Sequence, residues 1–219
     1  MHKPRNLVVF EFLGTALIIL GAFLGSRLLP ANGFNWITPP IVGLAITLTF
    51  HKSGAHLNPA VTTLVNVLPR IHRVQNGLYF ATQLATSLLI GLALLALSPE
   101  VERASTGQLE WQPKVVLLEG TATFVLMSLI AALALNGKAI WTIVAVPAVL
   151  YLLALSPLNF NQMNPSVSLA QAIQGLLTPA ELVEHLLGEA LGVLLAMTWV
   201  RLWLKRVRPT RASQSGANT

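Results

Sequence analysis

Two short runs in this chain, Asn58-Pro59-Ala60 and Asn164-Pro165-Ser166, have the residue types to build a site. Asparagine is a preferred N-cap, because its side-chain oxygen accepts a backbone N–H of the first helical turn. Proline fits the next position, where its missing N–H costs nothing. Each run is therefore predicted to open a helix. The first runs to about Val67 and stops before Pro69. The second runs to about Gln174, with Gly175 suited to its C-terminal cap. At about 10 residues, roughly 15 Å, each is half a bilayer long. Capping uses each Asn oxygen, so both amide NH2 groups are predicted to be free for a passing molecule. An acid precedes each run, Glu11 by 47 positions and Glu119 by 45, both inside apolar stretches.

The elements that position these residues follow from composition. The 219 residues are 54% hydrophobic and 10% charged, with a mean hydropathy of +0.66. A soluble domain carries about a quarter charged residues. These values exclude a disordered chain and an ordinary soluble enzyme, and the absence of Cys excludes a disulfide scaffold. The chain reads as an all-α integral membrane protein. Runs near the required ~20 apolar residues extend over Leu7–Leu29, Gly77–Leu97, Lys114–Leu135 and Leu182–Leu204. Ala139–Leu155 is shorter and holds Pro147, and a stretch from about Phe34 to Phe50 is interrupted by Pro39-Pro40. If those prolines open that helix, about 11 residues remain before His51, roughly 17 Å; otherwise it starts earlier with a kink. Six spans is the expected number. The first run has no small-residue cleavage site and is read as a span rather than a leader. The basic tail Val207–Thr219 is expected to be mobile.

The same order recurs: an acid in a first span, a second span, Asn-Pro-small opening a short helix, then a third span. Gly14-Thr15-Ala16 and Gly120-Thr121-Ala122 extend the match. Three spans per half is odd, so the halves, about 7–97 and 114–204, insert with opposite orientation within one transmembrane channel domain, 1–219. The short helices then enter from opposite faces and meet by their N-termini near the midplane. Each end carries about half a positive charge. Such a centre resists cations and protons and admits neutral hydrogen-bonding molecules. The bland alternative is a pair of turns of structural value only, but irregular backbone at membrane depth usually lines a cavity. Thr178-Pro179-Ala180-Glu181 reads as a capping box for the last span.

The formal charge of +6 is a matter of orientation. With the N-terminus inside, the cytoplasmic face receives Lys3, Arg5, Lys52, Arg70, Arg73, Lys138, Arg201, Lys205, Arg206, Arg208 and Arg211, and no acid. The outer face receives Arg27, Arg103 and Lys114 against Glu100, Glu102, Glu110, Glu181 and Glu184. Glu11, Glu119 and Glu189 remain within the membrane. This positive-inside pattern argues against a nucleic-acid partner. It suggests a multi-pass protein of a bacterial inner (cytoplasmic) membrane, with both termini cytoplasmic.

The run Ser53-Gly54-Ala55-His56-Leu57-Asn58-Pro59-Ala60-Val61-Thr62 resembles the first signature of the aquaporin and glycerol-facilitator (major intrinsic protein) family. Glu11-Phe12-Leu13-Gly14-Thr15 resembles the opening of its first span. The resemblance covers about residues 7–204, with a degraded second signature. It implies an aquaporin-like fold of six tilted helices and two half-helices around one pore per subunit, usually as a homotetramer, with no cofactor. It implies that Asn58 and Asn164 donate to solutes at the pore centre, together with Pro59, Ala60, Pro165 and Ser166. It also implies that carbonyls of Gly54, Ala55 and His56 line one half of the pore, and those of Phe160, Asn161 and Gln162 the other. Glu11 and Glu119 match acids that hold the backbone N–H groups of the re-entrant loops; the bland reading is a protonated, packed Glu. Glu189 has no expected family counterpart and would reach a neighbouring helix or subunit through Gln83 or His185. A metal role for His56 is disfavoured, because no His, Cys or Asp lies at ligand spacing.

Three departures from the family pattern bear on selectivity. Val167 stands where the family usually has an Arg, which narrows the outer constriction and repels cations. Leu152 stands where water-selective members place a His. The second span is about one turn short, so its constriction residue is Val42 or Thr38, of which Val42 is preferred. With Asn161 from the loop, the filter reads Val42, Leu152, Asn161 and Val167, uncharged and wide. Such a filter is expected to pass glycerol, urea, ammonia or undissociated metalloid acids. A passive channel for small uncharged solutes is the favoured function. The alternatives are a non-conducting protein of the same fold with a structural or adhesion role, and a proton-coupled transporter using Glu189. No nucleophile–base pair can be assembled at membrane depth, which argues against an enzyme.

Overall fold

The computed structural model describes residues 3–28, 36–68, 75–97, 111–155 and 162–207. Phe160 and Asn161 lie outside these residues, as do Arg70, Arg73, Glu100, Glu102, Arg103, Glu110, Arg208 and Arg211. The described residues form α-helices with no strand: α1 (Pro4–Leu28), α2 (Thr38–Ser53), α3 (Pro59–Val65), α4 (Asn76–Leu97), α5 (Pro113–Leu135), α6 (Thr142–Ala154, led by a 3-10 turn over Ala139–Trp141), α7 (Pro165–Ile173) and α8 (Pro179–Val207).

Among these residues α1, α4, α5 and α8 are long and apolar enough to cross a membrane. The two shorter spans show how proline sets their bounds. Pro39 and Pro40 lie in the first turn of α2, as the proline-at-the-start reading requires, and the helix recovers length by running past His51 to Ser53. Its 16 residues reach about 24 Å. Pro147 sits inside α6, where it cannot donate to the Ile143 carbonyl one turn back. Pro147 packs against Gly43 of α2, where a Cβ would meet Pro147 Cγ at 2.9 Å.

The short helices end slightly sooner than their sequences suggest. α3 stops at Val65, and the chain tightens through Val67 N–H to Leu64 O and Leu68 N–H to Val65 O. α7 stops at Ile173 and closes on Gly175, whose φ of 78° is the left-handed conformation glycine adopts without penalty. Leu176 N–H donates to Gln171 O and Gly175 N–H to Ala172 O, the paired bonds of a Schellman cap. At the start of α8, Thr178 N–H donates to Glu181 Oε2 (2.7 Å) and Glu181 N–H to Thr178 Oγ1 (3.2 Å), a complete capping box.

Each half-helix packs against the last span of the opposite half, α3 on α8 and α7 on α4, while α2 meets α6 across the middle. α1 packs on α2 and α4, and α5 packs closely on α8. That last contact depends on Gly188 and Gly192, one turn apart. A Cβ on Gly188 would lie 2.7 Å from Glu119 Cβ, and one on Gly192 would lie 2.5 Å from Gly120 O. Small residues at this spacing let membrane helices approach by their backbones. Leucines on the outer faces, such as Leu84, Leu88 and Leu92 of α4, are exposed, an exterior suited to hydrocarbon rather than water. Exposed Trp36, Trp111 and Trp141 mark the starts of α2, α5 and α6, where indole rings suit the membrane–water boundary.

The internal repeat is in place, but one letter match is out of register. Thr15 is fully buried, whereas Thr121, its partner in the Gly-Thr-Ala comparison, is exposed. Counted from the buried acids, the counterpart of Thr15 is Thr123, which is also fully buried. The second half is two residues shorter between acid and asparagine, and this moves the helix face that the letters share.

The α5–α8 contact yields a prediction. Gly192→Leu is expected to destabilise the protein by about 1–3 kcal/mol through overpacking, read as a lowered thermal midpoint in detergent. Gly77→Ala, where a Cβ would meet nothing within 4 Å, is expected to leave that midpoint unchanged.

Candidate pore

Both asparagines cap their helices. Asn58 is extended (φ −159°, ψ 122°) and its side-chain oxygen accepts from Ala60 N–H at 2.7 Å; Asn164 (φ −149°, ψ 105°) accepts from Ser166 N–H at 3.0 Å. Their NH2 groups are not wholly free, as the capping argument alone would have it. Asn58 Nδ2 donates to Met163 O at 2.8 Å and Asn164 Nδ2 to Leu57 O at 3.1 Å. These reciprocal bonds tie the two half-helices together end to end. A side-chain amide has two donor hydrogens, so each asparagine keeps one for the cavity that both line.

The chain reaches these caps through backbone that no helix satisfies. Leu57 and Met163, each directly before its asparagine, have φ of 52° and 50°. A side chain in this left-handed region costs roughly 1–3 kcal/mol and persists only where its surroundings impose it. The surroundings here are the buried acids. Glu11 Oε1 accepts from Ser53 Oγ at 2.7 Å and His56 N–H at 3.0 Å. Its Oε2 accepts from Leu57 N–H at 2.7 Å and Gln83 Nε2 at 2.9 Å. Glu119 accepts from Gln162 N–H at 3.2 Å and from Met163 N–H, and lies 3.2 Å from His185 Nδ1. The two acids thus hold corresponding amides, one and two residues before each asparagine.

Further side chains brace the first loop. The His56 ring stacks on Tyr79 (centroids 3.9 Å apart, planes at 15°), and Tyr79 O–H donates to Ser53 O. Thr62 joins His56 Nδ1 (3.2 Å) to Gln83. Tyr79, Gln83 and Thr62 were not singled out as supports of this loop. The available signal was a polar cluster, Thr82, Gln83, Thr86 and Ser87, inside an otherwise apolar span. Within the chain Glu189 reaches α7 rather than Gln83. Ser168 Oγ donates to it at 2.9 Å, while Gln83 is engaged by Glu11. Glu184, expected on the outer face, is fully buried and accepts from Gln112 N–H at the start of α5.

A cavity of ≈ 760 Å³ passes both asparagines. Gly54, Ala55 and His56 line it on one side of them and Gln162 and Met163 on the other. α2 contributes Thr38, Val42, Ile46 and Phe50 at helical spacing, so both filter alternatives reach the wall. Val167 lines it from the first turn of α7. Leu152 does not: it is 67% exposed on the outer face of α6. The wall takes Thr142, Val146, Leu150 and Ala154 from this helix. These positions recur every four residues, and Leu152, halfway between two of them, points about 200° away. Pro59, Ala60, Pro165 and Ser166 lie behind the asparagines rather than on the wall. Among the described residues, no Asp, Glu, Lys or Arg lines the cavity, and no group of three His, Cys, Asp or Glu is placed to hold a metal.

A sequence profile described as "Major intrinsic protein" matches residues 5–175. The probable aquaporin NIP4-2 of Arabidopsis thaliana is 30% identical over 169 residues, covering 74% of this chain and 59% of that protein. The aquaglyceroporin AqpS of Rhizobium meliloti (strain 1021) is 28% identical over 222 residues, covering 92% and 91%. The chain spans about three fifths of the length of the plant relatives it matches first. In fold, it is similar to the crystal structure of the aquaglyceroporin from Plasmodium falciparum, with a TM-score of 0.66 at 16% identity, covering 94% of this chain and 98% of that one.

Removing the Glu11 carboxyl leaves two loop amides buried without an acceptor. Glu11→Ala is therefore expected to cost about 3–5 kcal/mol, measured as thermal unfolding in detergent. Wild-type stability in that variant would mean that the loop holds itself.

Proposed function

The chain belongs to the major intrinsic protein family, and from that premise we propose that it is a passive channel for water and small uncharged solutes. The observation that carries this reading is the cavity wall around the two asparagines, uncharged among the described residues. A neutral solute entering such a cavity exchanges water for the amide donors and backbone carbonyls it meets. An ion finds no opposite charge to offset its desolvation, which costs far more. The two half-helix N-termini add positive potential where a cation would be least hydrated. The relatives named as aquaporins and as an aquaglyceroporin support the same reading.

The selectivity we propose is for solutes larger than water: glycerol, urea, ammonia or undissociated metalloid acids. The support is Val167, an aliphatic side chain where the family resemblance leads one to expect Arg. The proposed filter takes Val42 and Thr38 from α2, Val167 from α7 and Asn161 from the loop, with Leu150 of α6 in place of Leu152. Apolar side chains offer few hydrogen bonds, so this filter cannot favour water by replacing its hydration. Loss of the Arg also leaves the central dipoles as the main barrier to cations. The oligomer proposed from the resemblance is a homotetramer. The basic residues are proposed to lie on the cytoplasmic side of a bacterial inner membrane, with both termini inside.

Proteoliposome swelling against water, glycerol, urea, ammonia and arsenous acid tests this reading. Val167→Arg is expected to cut flux of glycerol and urea much more than flux of water. Unchanged solute flux in that variant would discard the filter assignment. Flux no higher than through empty liposomes for every solute would discard the channel.

A further inference from the structure

The two halves hold their loops with one geometry and two chemistries. Gln83 stands 25 positions after Asn58, and Glu189 stands 25 after Asn164. Gln83 meets Thr62, four positions after its asparagine; Glu189 meets Ser168, four after its own. Tyr79 and His185 correspond in the same way, each four positions earlier. The amide and phenol of the first half are therefore a carboxylic acid and an imidazole in the second. Gln83 donates to the loop-holding acid Glu11. An ionised Glu189 has no hydrogen to donate to Glu119.

Glu119, His185 and Glu189 are each at most 4% exposed. Oε2 of Glu189 has no hydrogen-bond partner among the described residues. Of the helices packed against α8, α3 and α7 carry no titratable side chain, and α5 adds only Glu119 and, at its exposed start, Lys114. On α8 itself, His185 is bound to Glu119 and Glu184 to Gln112 N–H; Glu181 caps the helix start, while Arg201, Lys205 and Arg206 lie three turns or more beyond Glu189. His185 Nδ1 is bonded to Glu119, and Glu189 stands one helical turn beyond His185 on α8. A proton on Oε2 makes Glu189 a neutral donor and acceptor, as Gln83 is. His185, bound through Nδ1, also lines the cavity, so its ring connects the buried acids with the pore.

We propose that Glu119, His185 and Glu189 form a proton-binding site, loaded from the pore through His185, whose occupancy controls flux past Asn164. This rests on the channel reading above. With the proton bound, Glu189 plays the part of Gln83, and the second loop is held as the first is. When the proton leaves to pore water through His185, two buried carboxylates face each other. Glu119 is pushed from the Gln162 and Met163 amides, and the loop carrying Asn164 loses its support.

Urea flux into proteoliposomes, with equal pH on both sides, is measured between about pH 5 and about pH 8, a range that brackets the ordinary histidine value. Wild-type flux is expected to fall several-fold as pH rises, and Glu189→Gln is expected to stay at the wild-type acid level throughout. Infrared spectra of the purified protein supply a readout independent of transport. A protonated-carboxyl stretch is expected to vanish over the same pH range and to be missing in Glu189→Gln. Measurable but pH-independent wild-type flux, an unaltered profile in Glu189→Gln, or the absence of a titrating carboxyl band overturns the proposal. If Glu189→Gln does not fold, titration of the wild-type band decides. No urea flux at any pH counts against the channel reading, and the infrared titration then decides the proton site.

Discussion

Backbone N–H groups that leave a helix deep in a membrane protein must find acceptors inside the protein, because hydrocarbon offers none. In this chain Glu11 and Glu119 supply those acceptors, and much of the structure serves to place them. The non-helical segments before Asn58 and Asn164 turn through left-handed residues that side chains ordinarily avoid. They hold that course because a carboxyl group on a neighbouring span takes their amides. The glycines of α8 let α5 approach closely enough to bring Glu119 to its loop. On the other side, Gln83, Thr62 and Tyr79 fill the space around Glu11 with donors and a stacking ring.

Once the loops are held, the chemistry of the cavity follows with few further parts. Each asparagine divides its amide between two structural contacts and the cavity: the oxygen caps its own helix, and one hydrogen bonds the opposite loop. The remaining hydrogen is fixed in direction by the other two contacts. A donor immobilised in this way needs no reorganisation when a neutral molecule arrives. The acids that hold the loops are themselves kept off the wall, which carries no Asp, Glu, Lys or Arg among the described residues.

Much of this was legible in the sequence, because local rules sufficed. N-caps, prolines in first turns, the capping box at Thr178 and the glycine stop at Gly175 depend on residues a few positions apart. The pairing of Glu11 and Glu119 with the two asparagines was legible because the chain repeats it. Where two distant elements had to be set against each other, linear reading failed. Leu152 is the position that the family resemblance matches to a His, but the face α6 presents depends on its rotation, and the wall takes Leu150 and Ala154. Gly-Thr-Ala matched by letters, yet a two-residue difference in spacing set the second copy on another face. Glu184 read as an outer charge, and its burial follows from the proximity of the start of α5.

The sequence by itself determined the helical membrane class, the inverted repeat, the two opposed half-helices and the acids paired with them. These follow from hydropathy, capping chemistry and spacing, all of which act along the chain. Only the tertiary structure decided which side chains reach the cavity, which donors each acid collects, and that Glu189 stands where the other half has Gln83. Those outcomes depend on how helices are rotated and how closely they pack, and small residues and single-turn offsets control both. A carboxyl and an amide of nearly the same shape fill corresponding places in that packing. Their different capacity to hold a proton acquires meaning only once Glu119 and His185 are beside one of them.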